Sequence, residues 1–121
     1  MRIDIETIRH YCISKPGASE SLPFDMDTLV FKVGNKMFGA IDLTHGQSIN
    51  LKCDPELAIE LRERHEEVQP GYHMNKKHWN TVELHGRLTL KEVQEMIDHS
   101  YELVFNALPK AERMAIQNQG K

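Results

Sequence analysis

Between Thr28 and Cys53 the chain holds three strand-like segments separated only by short turns. Connections this brief join antiparallel neighbours, because a parallel crossover needs a dozen residues or more. Thr28-Leu29-Val30-Phe31-Lys32-Val33 is β-branched and aromatic, and Gly34-Asn35 is a two-residue hairpin signal, since both residues tolerate positive φ. Lys36 to Leu43 returns, Thr44-His45-Gly46 turns again, and Gln47 to Cys53 alternates apolar and polar with period two. That alternation predicts one wet face. The first hairpin is apolar on both faces, so its inward side stays unassigned.

Helical periods flank this meander. Ile5, Ile8 and Cys12 share one face of a helix over 4–13, which Ser14-Lys15-Pro16-Gly17 ends; a polar loop follows to about Asp27. Asp54-Pro55-Glu56 opens a second helix as N-cap, N1 proline and dipole-complementing acid. Its inner stripe reads Leu57, Ala58, Leu61, His65 and Val68, until Gln69-Pro70-Gly71 breaks it. Trp79 to Leu84 is strand-like and His85-Gly86-Arg87 a turn. Thr89 and Glu92 then form a capping box for a helix with the stripe Val93, Ile97, Val104 and Leu108, ending by Pro109. Lys110 to Gln117 offers a short extra turn, and 118–121 reads as a frayed tail. The expected fold is α+β, order α-β-β-β-α-β-α: a two-layer sandwich with helices on one face of an antiparallel sheet, as a single domain over residues 1–117.

At 121 residues, with 40% hydrophobic and 27% charged residues, the chain is neither disordered nor long enough for two catalytic domains. Its apolar runs are too short to span a membrane, and Met1-Arg2-Ile3-Asp4-Ile5-Glu6 has no apolar signal region, so a cytoplasmic protein is expected. Cys12 and Cys53 sit in apolar patterns and are expected as buried, reduced thiols. The seven histidines match no ligand spacing, so no metal or cofactor is expected.

A net charge of −3 excludes a uniformly basic nucleic-acid binder but conceals a division. Asp54 to Glu67 holds six acids and two bases, whereas Tyr72 to Lys91 holds Lys76, Lys77, Arg87 and Lys91 against Glu83 alone. The second segment also carries Tyr72, His73, His78, Trp79 and His85. Cations interleaved with rings suit phosphates and bases. Trp79, at the head of a strand, is expected as a core anchor rather than a stacking platform.

The run Pro70-Gly71-Tyr72-His73-Met74-Asn75-Lys76-Lys77-His78-Trp79-Asn80-Thr81-Val82 resembles the signature of the MmcQ/YjbR-like family. Lys15-Pro16-Gly17 with Glu20, Leu22-Pro23-Phe24, Phe31-Lys32-Val33, Leu51-Lys52-Cys53-Asp54-Pro55, Leu61-Arg62-Glu63 and Ser100-Tyr101-Glu102-Leu103-Val104 support it. The resemblance spans roughly residues 1 to 108. It implies a two-layer fold similar to secretion-chaperone-like and CyaY-like folds, with a double-wing DNA-binding motif and no catalytic set.

Three functions follow as expectations. The first is a non-enzymatic DNA-binding module, weak and sequence-tolerant, using Lys32, Lys36, Tyr72, His73, Asn75, Lys76, Lys77, His78, Arg87 and Lys91. The second is a protein-interaction adaptor with a dipolar surface made by the acidic helix and the basic segment. The third is a small-ligand or acid–base pocket around His73 and His78. No nucleophile elbow, P-loop or Rossmann fingerprint supports catalysis.

Overall fold

A computed structural model describes residues 3–22, 27–44, 48–71 and 75–119. In chain order the elements are α1 (Ile5–Ile13), β1 (Ala18–Ser21), β2 (Thr28–Val33), β3 (Lys36–Asp42), β4 (Ser48–Lys52), α2 (Pro55–Arg64), β5 (Val68–Pro70), β6 (Trp79–Glu83), α3 (Leu90–Asn106) and α4 (Lys110–Gln119). The six strands form one sheet in the order β1-β2-β3-β4-β6-β5, every pair antiparallel. The expected α+β architecture is observed, with three refinements. Ala18–Ser21, expected as loop, pairs with β2 as a strand. Val68, expected on the helical stripe, lies in β5, because His65 turns extended at φ −128° and ends α2. The expected short turn after Pro109 is a ten-residue helix that includes Asn118 and Gln119, two residues of the expected frayed tail. The His45-Gly46 turn lies outside the described residues.

The caps work as their residues dictate. Asp54 accepts from the amides of Glu56 and Leu57 at 3.1 and 3.2 Å, with Pro55 at N1. Thr89 and Glu92 close a reciprocal capping box on α3. Leu29, Phe31, Val33, Phe38, Ile41, Ile49, Leu51 and Val82 line the inner face of the sheet, and one core cluster joins them to residues of all four helices. Val30 and Ala40, paired across β2 and β3, are buried on the opposite face, outside that cluster. This resolves the ambiguous apolar hairpin.

The pairing between β2 and β3 slips after Phe31, which leaves Phe38 as an extra residue on β3. Its carbonyl is thereby offset from the β4 ladder, whose register with β3 stops at Leu51. Ser100, fully buried on α3, fills the gap. Its hydroxyl donates to the Phe38 carbonyl at 2.5 Å and accepts from the Lys52 amide at 2.9 Å. The helix thus completes a rung that the bulge interrupts. Phe38 also meets Tyr101 edge-on, ring centroids 5.4 Å apart.

Lys15 and Glu20, both part of the resemblance, tie α1 down. Arg9 grips Glu20 with Nε at 2.6 Å and Nη2 at 2.6 Å. Lys15 donates to Asp98 of α3, to which the Tyr11 hydroxyl also donates at 2.6 Å. The Arg9 guanidinium holds the Glu20 carboxyl below its ordinary value of 4.5. A carboxylate whose folded pKa is depressed contributes stability above its unfolded pKa and loses it as pH falls through the folded value. Replacing Glu20 with Gln is therefore expected to lower the urea midpoint at pH 7 and to flatten its fall below about pH 4.5. Parallel acid profiles for both proteins would refute this.

Cys12 and Cys53 are buried and unbridged, as expected. Burial pushes the Cys12 thiol up to about 12 and that of Cys53 to about 11. Neither forms an appreciable thiolate at neutral pH.

Candidate nucleic-acid interface

Alternation along β6 assigns its side chains. Asn80 and Val82 point inward with Leu51 and Ile49, their partners across β4. Trp79, Thr81 and Glu83 therefore face away from the helices. Trp79 sits directly opposite Lys52 on this open face. It is half-buried and absent from the main core, so the expected core anchor is corrected to a surface ring. Val82 and Leu84 take the inward places, and period two leaves Trp79 on the other side.

The strand registers also divide the open face by charge. Lys32 in β2 and Lys52 in β4 lie on this face toward one end of the sheet, and Lys36, exposed at the hairpin turn of the same end, pairs with inward-facing Val33. The loop carrying Lys76 and Lys77 enters β6 at the same end. Asp42 and Glu83 lie toward the other end. Asp54 follows Lys52 closely but turns into the helical layer as the α2 cap. The acidic helix α2, with Glu56, Glu60 and Glu63, belongs to that layer, on the far side of the sheet from Trp79.

Local hydrogen bonds fix the loop before β6. The Asn75 side chain accepts from the Lys77 amide at 2.9 Å, and its carbonyl accepts from the Trp79 amide at 2.9 Å. The His78 carbonyl accepts from the Cys53 amide at 2.7 Å. Arg62 reaches up from α2, giving Nε to Asn80 Oδ1 at 2.8 Å and Nη2 to the carbonyls of Lys76 and Trp79. Gly71 is buried beside this strand and gives its amide to the Trp79 carbonyl. A Cβ on Gly71 would sit 2.7 Å from the Trp79 Cβ and 2.9 Å from its carbonyl oxygen, so only glycine fits there.

The expected site residues do not all converge. Lys32, Lys36, Lys76 and Lys77 share one end of the sheet, with the last three exposed. Asn75 shapes the loop, and His78 is half-buried beside it. Arg87 and Lys91 are exposed at the opposite end, after β6 and at the start of α3. At about 3.4 Å per residue, β6 alone puts roughly 14 Å between the two ends. The strand thus divides the basic segment 72–91 between the two ends of the sheet. Tyr72 and His73 lie outside the described residues. Lys52, Arg62 and Asn80 are the residues that sequence reasoning missed as site members. The alternation in β4 already assigns Lys52 to the wet face.

The structure also holds a cleft of about 280 Å³ between α2 and α3. Leu51, Asn80 and Val82 floor it; Leu57 and Leu61 form one wall and Met96 the other. His65 and His99 also line it, rather than His78 as the expected pocket had it. His65 Nε2 stands 3.9 Å from Glu92 Oε2, and His99 Nε2 accepts from the Asp54 amide at 3.2 Å. Among the described residues no cluster of His, Cys, Asp or Glu is suited to a metal, and no helix is long and apolar enough to cross a membrane.

Known proteins share this fold. The solved structure of Deinococcus radiodurans protein DR2400, whose domain is DUF419, superposes with a TM-score of 0.88 at 40% identity, covering 97% of this chain and 89% of that one. A Pseudomonas syringae protein structure follows at TM-score 0.71 and 29% identity, over 84% of this chain and 99% of its own. The uncharacterized protein YjbR of Escherichia coli strain K12 is 36% identical over 110 residues, 90% of this chain and 93% of its own length. The YjbR family model matches residues 13–103, a stretch that contains the whole sheet, the Arg62-anchored loop and most of α3, and the chain belongs to the YjbR family.

Proposed function

We propose that the open face of the sheet, at its lysine-bearing end, contacts DNA weakly and without sequence preference. The observation that carries this reading is Trp79 opposite Lys52, with Lys32, Lys36, Lys76 and Lys77 at the same end. Lysines neutralise phosphates and release counterions, which gives affinity but no base readout. A partly buried indole flanked by ammonium groups offers a stacking surface for an unpaired base. The same end of the sheet carries the lysines while Asp42 and Glu83 stand at the other, so a strand would cross there.

Trp79 is the chain's one tryptophan, so its fluorescence reports the contact directly. Titration with an oligo-dT strand at low salt is expected to quench it and raise the anisotropy of the labelled strand. If all five lysines engage, log K falls with log salt at a slope of about −3.5 for single strands. Lys52→Ala/Lys76→Ala/Lys77→Ala should bring that slope to about −1.4. An unquenched Trp79 with no anisotropy change at micromolar protein defeats the proposal. A protein partner is the second reading, favoured by Ile59, 56% exposed among the acids of α2.

A further inference from the structure

Several basic side chains find an acid within the chain. Arg9 engages Glu20, Lys15 engages Asp98 and Arg64 engages Glu60. Two groups stand apart. Among the described residues, Lys32, Lys52, Lys76 and Lys77 meet no carboxylate, and Glu56 and Glu63 meet no cation. On α2 the helical period gathers Glu56, Ile59, Glu60 and Glu63 within an arc of roughly 100°, turned away from buried Ala58 and Leu61. Ile59 is 56% exposed, more than any other large apolar side chain among the described residues. An isoleucine ringed by carboxylates therefore stands in water on the helical layer. Across the sheet, the partly buried Trp79 stands among ammonium groups. The two surfaces match twice, apolar centre to apolar centre and carboxylate to ammonium. They belong to opposite layers of the fold, so one copy cannot close the contact on itself.

We propose that a second copy of this chain docks the lysine-bearing end of its sheet onto the α2 face centred on Ile59. The proposal rests on the protein-partner reading and names that partner; it does not depend on the DNA contact. A net charge of −3 opposes the approach of two copies only weakly once salt screens it, whereas the paired patches act at short range. Because the two patches differ, the contact is heterologous. Each docked pair still presents one free patch of each kind, so association continues past two copies unless a ring closes.

Sedimentation velocity of the full chain without nucleic acid tests this. The weight-average coefficient is expected to rise from roughly 10 to 500 µM protein in about 25 mM salt, with association about tenfold weaker in about 300 mM salt. Glu56→Lys/Glu63→Lys reverses the acidic patch and Lys76→Glu/Lys77→Glu the basic one. All four positions are exposed, so both variants should keep the parent's far-UV spectrum. Each variant alone should stay monomeric. An equimolar mixture should associate again, because acid then faces base at both kinds of contact. Ile59→Ser should weaken association about tenfold while leaving its salt dependence unchanged. A monomer at every concentration overturns the proposal. So does association that survives either charge reversal, or that the mixture fails to restore. The wider partner reading fails on a separate result, when immobilised wild-type chain retains no lysate protein that Ile59→Ser loses.

Discussion

Ser100→Ala is expected to lower folding stability by about 2–4 kcal/mol, a fall in Tm of roughly 10 °C for a domain of this length. The hydroxyl is fully buried and serves two backbone groups, the Phe38 carbonyl and the Lys52 amide. Its loss leaves both unsatisfied beside the bulge, and each carries a desolvation penalty of about 1–3 kcal/mol. Partial closure of the β3–β4 rung keeps the total below the sum of the extremes. The control is Glu102→Ala on the exposed side of the same helix, expected within about 0.5 kcal/mol of the parent. Urea denaturation of the two variants checks the pair. A Ser100→Ala midpoint equal to that of the control would mean that the bulge closes without help from α3. Amide exchange at Lys52 gives a second, local readout, and protection there should fall first.

Arg62→Met keeps the aliphatic stem and removes the donors that bind Asn80 Oδ1 and the Lys76 and Trp79 carbonyls. The Trp79 carbonyl retains the Gly71 amide, and the exposed Lys76 carbonyl can meet water, so the buried Asn80 oxygen bears most of the loss. The expected destabilisation is about 2–3 kcal/mol, with faster exchange at the His78 and Trp79 amides, whose bonds to the Asn75 carbonyl depend on the loop being held. Arg62→Lys should recover less than half of it, because a single ammonium cannot span the acceptors that the planar fork reaches together. Full recovery by lysine, or unchanged exchange in the loop, would show that Arg62 contributes charge rather than geometry.

The fold was legible where residues impose local geometry. Gly34-Asn35, the Asp54-Pro55 start and the Thr89/Glu92 box each define an element boundary through backbone chemistry alone. β1 and β5 escaped for a physical reason. Ala18-Ser19-Glu20-Ser21 and Val68-Gln69-Pro70 are short and largely polar, and they become strands only because β2 and β6 offer them partners. Trp79 was legible in principle. Val82 and Leu84 place the even-numbered positions of β6 inward, and the parity of residue 79 outweighs the average burial of tryptophan. The split of Arg87 and Lys91 from Lys76 and Lys77 was equally implicit in a strand lying between them. Asn80 as a cleft floor was not. That role depends on α2 and α3 diverging above the sheet, a tertiary fact that no local pattern encodes.

The strand order has a consequence for behaviour at high concentration. The sheet begins with β1 and ends with β5, four and three residues long. Pro70 closes β5 and has no amide to donate, while Glu20 places a carboxylate within β1. A neighbouring chain seeking to extend the sheet would find few consecutive backbone groups on either side. The long apolar strands β2, β3 and β4, which would be the most adhesive templates, are paired on both sides within the molecule. The protein is thereby guarded against strand-to-strand aggregation by the brevity of its outermost strands.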